Sequence, residues 1–294
     1  MACNKLAKWI AAVYLIVTST NAHAYDDRYY VAMFDLFEAE ISPRILRMLP
    51  PNERNVIEGV ELNLWMNPSV PSALVTRANP PQIIISLGFM DGLFQYIDCF
   101  MLEGNIPDIS PRFCEQYFLY YVEEVIEPNS LHPDSAAKVF FRSDEQLIDR
   151  WYGNPQNEEL RNLMMLSSLI FAFTHEYGHH VSGFYAENDS LAQKRQTEAS
   201  ADLWAAQTLD GIGERPILGA ALTFGYIARL EAYRTELANS SANDPNFNQL
   251  DSPHPLPRDR MSWSFERYCS QRVLSVDSTM TEPCEMIADM IEGY

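Results

Sequence analysis

The chain has 294 residues, 47% of them hydrophobic, which is enough to fill one large domain. Its formal net charge of −19 argues against nucleic acid and anionic membrane surfaces as partners, and speaks first for a solvated acidic surface. No internal repeat or low-complexity tract interrupts it.

Residues 1–24 have the layout of an export signal. Lys5 and Lys8 precede a short apolar run from Trp9 to Val17, and Ala22-His23-Ala24 supplies a small-x-small cleavage site. An uncleaved membrane anchor is the competing reading, but the run is short for a bilayer. Cleavage after Ala24 predicts a periplasmic or secreted protein, residues 25–294, forming a single domain with no stable membrane insertion. Four cysteines then remain, Cys99, Cys114, Cys269 and Cys284. Three pairings are possible, and the sequence-local Cys99–Cys114 and Cys269–Cys284 are preferred. Each would close a loop worth about 3 kcal/mol in the chain-entropy picture.

Apolar spacing predicts a helix from Tyr29 to Met48, stopped by Pro50-Pro51. Val60 to Trp65 alternates as a strand, and Gln82 to Ser86 is a β-branched run that reads as another. Between them, Ala73 to Thr76 is set off by prolines; either it or Ile83 to Ser86 is expected at the sheet edge. Helices are predicted from Phe89 to Leu102 and from Phe113 to Ile126. Ser143 is the expected cap of a short helix ending at Trp151. A long helix follows, Asn157 to Phe184, then one from Leu191 to Leu209. A third opens at Pro216 and runs to about Leu237. Residues 238–253 are polar and read as a loop, and two more helices are expected near the C-terminus. The fold class is therefore α+β, mostly helical, with a small sheet.

The long helix carries the chemistry. His175-Glu176-Tyr177-Gly178-His179 places two imidazoles four residues apart, on one helical face, where they can grip one metal ion. Glu176 follows the first histidine at the position of a general base. A catalytic zinc takes three protein ligands. Glu198, nineteen residues after His179 on the next helix, is the candidate third. Asp202 lies one turn further along the same face, placed to orient a ligand histidine. Ala199, Ser200 and Ala201 are small enough to let the two helices approach. The ligand atoms of His175, His179 and Glu198 should then converge to within about 4 Å of one another. His180 lies about 100° around the helix from His179 and reads as packing or surface. Tyr177 points away likewise, and Gly178 leaves room for a strand or substrate to pass.

His175-Glu176-x-x-His179 with Glu198-x-x-x-Asp202 resembles the gluzincin zinc peptidases. Other features are similar to the HtpX-type, CAAX prenyl protease-like, family: Ile83 to Gly88 as a strand and helix-opening turn ahead of the motif, and a late His254-Pro255 with Arg260 six residues on. The gap to Glu198 is shorter than usual in that family, and its membrane segments are absent. The resemblance spans about residues 73–260 and implies a zincin-like domain built on a central motif helix. It also implies one Zn2+ per chain and a protein or peptide substrate cleaved as by a metalloendopeptidase. By the same analogy His254 becomes a second catalytic residue, stabilising the oxyanion. Arg260 would pair with Asp202 or Glu198, or hold the His254 loop. The alternative is a zinc-binding but non-proteolytic chaperone or binding protein on the same fold, against which the intact Glu176 counts.

Overall fold

The computed structural model describes residues 27–67, 71–106, 109–110, 112–126, 135–184, 188–212, 216–240 and Arg260. The export signal, His254, Cys269, Cys284 and the helices expected after Arg260 lie outside the described residues. The protein is mostly helical with one small sheet.

The first expected helix is three pieces: α1 (Asp27–Leu36), a π-helical turn (Phe37–Ile41) and α2 (Ser42–Met48). The π turn carries Phe37, which stacks on Phe173 with ring centroids 4.2 Å apart. Pro51 opens α3 (Pro51–Ile57), followed by β1 (Glu61–Trp65), β2 (Ala73–Thr76) and β3 (Gln82–Ser86). β3 is the central strand, parallel to β1 and antiparallel to β2. Of the two segments expected at the edge, β2 takes it. Ile83 and Ile85 are fully buried, as a strand flanked on both sides requires.

Ser86 caps α4 (Leu87–Asn105), its hydroxyl accepting from the Phe89 amide. α5 (Phe113–Tyr121) runs into a π segment (Val122–Ile126), and α6 (Ala136–Phe140) is a helix the periodicity did not predict. Asp144 rather than Ser143 caps α7 (Glu145–Tyr152). Ser143 has φ of 58°, so it belongs to the left-handed turn before the cap. α8 (Pro155–Ser182) begins two residues before the expected start, because Asn154 caps it and Pro155 fits its first turn. A Ser190/Gln193 capping box opens α9 (Leu191–Gly211), and α10 (Pro216–Ser240) closes the described fold.

α8 is the axis of the molecule. It packs against α9, α10, α4 and α3, and against strands β2 and β3. Its second half is buried almost continuously from Leu166 to His179. The approach of α9 depends on small residues: a Cβ placed on Gly178 would lie 2.8 Å from the Ala201 carbonyl oxygen. What passes Gly178 is therefore a helix, not the strand or substrate that the sequence suggested.

Two buried carboxylates tie α4 to its neighbours. Asp98 accepts from Trp151 Nε1 at 2.8 Å, Tyr152 OH at 3.0 Å, Arg161 Nη2 at 3.1 Å and the Ala137 amide at 3.2 Å. That one side chain joins α4, α6, α7 and α8. Asp91 accepts from the Tyr30 and Tyr121 phenols at 2.9 and 3.1 Å, and burial with that nearby charge pushes both phenols up. Cys99 and Cys114 are neighbours, as their preferred pairing requires, but both are buried free thiols in hydrogen-bonding contact rather than a disulfide. No helix among the described residues is long and apolar enough to cross a membrane.

Candidate metal centre

His175 and His179 come from the last turns of α8, and Glu198 from the middle of α9. The two helices meet at Gly178 and Ala201, which sets the ligand groups face to face. His175 Nε2 and His179 Nε2 are 3.1 Å apart. The two Glu198 oxygens reach one ring each: Oε2 lies 3.5 Å from His175 Nε2 and Oε1 3.5 Å from His179 Nε2. All three residues are buried, and their ligand atoms lie within 4.8 Å of one another, so the group can hold a metal ion.

The far side of His175 is fixed by Asp202, whose Oδ1 lies 2.8 Å from Nδ1. A carboxylate at that distance favours a proton on Nδ1, though off the line of a well-aligned hydrogen bond, and leaves Nε2 facing the centre. Arg260 grips Asp202 with two bonds, Nε to Oδ2 at 2.9 Å and Nη2 to Oδ1 at 2.6 Å, and sits 3.8 Å from Glu198 Oε2. Its guanidinium also stacks on Phe224 of α10, 4.4 Å from the ring centroid. Of the roles open to Arg260, the geometry presents the close pairing with Asp202 and a longer one with Glu198.

Charge balance supplies a test of fit. Glu176, Glu198 and Asp202 are all buried and acidic, with Arg260 the one buried guanidinium in the cluster. Three buried carboxyl groups against one guanidinium put an excess of acidic groups out of water, costly without a further counter-charge. A divalent cation held by two imidazoles and a carboxylate cancels it. Without a cation the protein compensates by protonation. Burial opposes a charge on His175, but Asp202 and Glu198 outweigh it and push the imidazole up to about 10. Burial would likewise raise Asp202, and the charges of Arg260 and His175 hold it below the ordinary carboxylate range.

The predicted residues His175, Glu176, His179, Glu198, Asp202 and Arg260 are thus brought together. His180 is turned away from the centre and packs edge-on against Phe184. Tyr177 lies on the reverse of the helix, its phenol 2.9 Å from Ser42 Oγ. The sequence reading missed Phe184 and Arg77. The Phe184 ring lies nearly parallel to His179, with centroids 6.3 Å apart, and the Arg77 guanidinium sits over that ring at 4.5 Å. Arg77 directly follows β2, so it links the edge strand to the metal ligands. A lone phenylalanine past a helix end and a lone arginine past a strand carry no signal that could have found them. Compared with known proteins, the chain finds no counterpart: no family model, no curated protein and no solved structure matches it.

Proposed function

We propose that the protein is an exported zinc-dependent metalloendopeptidase with a zincin-like, gluzincin-type site. The observation that carries this reading is the buried convergence of His175, His179 and Glu198, with Glu176 beside the first ligand in sequence. Two imidazoles and one carboxylate are a donor set suited to zinc, with a coordination position left for water or substrate.

Zinc, when bound there, supplies Lewis acidity that activates water and polarises a carbonyl. The chain's residues do the rest. Glu176 accepts the proton of the attacking water and returns it to the leaving amine. Asp202 keeps the Nδ1 proton of His175 in place, and Arg260 keeps Asp202 ionised. The open edge of β2 is suited to pair with an extended peptide, since among the described residues it bonds only to β3. Arg77 and Phe184 stand where that edge meets the site. By analogy with the resembling peptidases, His254 is assigned the oxyanion-stabilising role.

The test compares metal content and casein hydrolysis for wild type, Glu176→Gln and His179→Ala. One zinc per chain, with hydrolysis lost in Glu176→Gln while zinc is retained, supports the proposal. Stoichiometric zinc without cleavage of any protein or peptide substrate turns the reading to a non-proteolytic zinc protein. Absence of zinc from the wild type after growth in zinc sinks both.

A further inference from the structure

Behind the metal helix lies a second concavity, about 350 Å³ in volume. Its floor is the Tyr177 phenol, bonded to Ser42; its rim carries Glu38, Glu58 and Glu61; and Asn63 lines one side. Leu46 and Ile57 supply apolar wall for the stem of a long side chain. No lysine, arginine or histidine is among the described lining residues. Tyr177 is two residues from both metal ligands and, at about 100° per residue, emerges from nearly the opposite side of α8.

One wall of this cavity is β1, whose outer edge pairs with no strand among the described residues. The Glu61 amide donates to the Pro81 carbonyl at 2.9 Å, in the direction of β3. Alternation along a parallel strand then turns the amide and carbonyl groups of Leu62 and Leu64 to the open edge. Asn63 adds an independent observation: its Nδ2 is buried and has no hydrogen-bond partner among the described residues. A donor left in that state is costly, and a turn of the partly buried side chain toward the cavity would offer it to an incoming carbonyl.

We infer that this cavity is a docking site, separate from the metal centre, for an extended basic peptide that adds along β1 and places a lysine or arginine side chain between Glu38, Glu58 and Glu61. The match is one of charge and of backbone: among the described residues, three carboxylates surround a cavity lined by no cation, next to a strand edge that pairs with no strand. Gln82 already donates to Glu61 Oε2, at 3.3 Å, which steadies that carboxylate without neutralising it. The inference does not depend on the metal centre being catalytic.

The experiment uses the full chain carrying Glu176→Gln, which keeps a peptide probe intact. Binding of a Val-Lys-Val-Lys-Val amide carrying fluorescein on its N-terminal amine, with both lysines free, is followed by anisotropy. The variant Glu38→Gln/Glu58→Gln/Glu61→Gln should bind at least tenfold more weakly. A control variant with the same charge removed elsewhere, Glu123→Gln/Glu145→Gln/Glu159→Gln, should change binding less than twofold. All six side chains are exposed, so both variants should keep the parent melting temperature. A probe with norleucine for lysine, or with N-methylated alternate amides, should lose binding to a similar degree. Equal weakening in both triple variants would mean diffuse attraction to an acidic protein and overturn the proposal. So would retained affinity of the N-methylated probe, or failure of the parent to saturate below millimolar probe. None of these failures bears on zinc content or casein hydrolysis.

Discussion

Asp202 stands between two cations, His175 and Arg260, and its ionised state depends on them. Burial favours its neutral form; the two positive charges prevail and lower its pKa. A lowered carboxylate contributes stability above its unfolded pKa and loses it as pH falls through the folded value. Arg260→Leu removes the larger of the two opposing charges. The acid-unfolding midpoint, followed by far-UV circular dichroism, should therefore move to higher pH. Asp202→Asn addresses the other side of the contact. It cannot hold the His175 ring as an anion does, and zinc affinity measured against a competing chelator should fall about 10–100-fold. Both variants keep all three metal ligands, so zinc should still bind at saturating concentration.

At the scale of elements, the site is a meeting of α8 and α9 rather than a property of either. Gly178→Ala would push a methyl into the Ala201 backbone, where the nearest atoms lie 2.8 and 2.9 Å from the new Cβ. Overpacking of this kind costs about 1–3 kcal/mol, and it should appear in urea unfolding together with weaker zinc binding as the helices separate. Asp98 offers the contrast, since it joins α4 to three other helices with no contact to the metal ligands. Asp98→Ala strips the partner from buried Arg161 and should cost about 3 kcal/mol or more, with zinc affinity per folded molecule unchanged.

The same contrast explains what could be read from the chain. His175, Glu176 and His179 were legible because helical geometry converts a four-residue spacing directly into a shared face. Glu198 and Asp202 followed because one short connection leads to one further amphipathic-length helix. The small sheet, the order of helices and the stop at Pro50-Pro51 were legible from alternation and breakers. The Asp98 junction was not, because its partners lie 39 to 63 residues away and nothing local marks a buried carboxylate. The π turns at Phe37 and Val122 escaped for a related reason: a one-residue slip in a helix serves distant packing, here Phe37 on Phe173. The cap moved from Ser143 to Asp144 because Ser143 adopts a left-handed conformation that spacing does not show.

For the whole molecule, the candidate metal centre acts as a pH-dependent brace even without an ion. In the metal-free protein His175 is raised to about 10, so its charge pairs with Asp202 and Glu198. That contribution is full below the unfolded histidine pKa of about 6.5 and is lost as pH rises through about 10. Metal-free protein should therefore lose thermal stability between these values, while the zinc-loaded protein loses less. The gap between their melting temperatures should widen from pH 7 to pH 10 in differential scanning calorimetry. On the acid side zinc is released, since it requires unprotonated imidazoles, and the gap should close.

The bidentate grip of Arg260 on Asp202 has a consequence for the order of assembly. During synthesis α8 and α9 are complete some fifty residues before Arg260 emerges. Until then Asp202 lacks the guanidinium that grips it from both oxygens, and His175 is the cation left to pair with it. A nascent chain therefore carries all three candidate metal ligands well before it carries the guanidinium that pairs with Asp202.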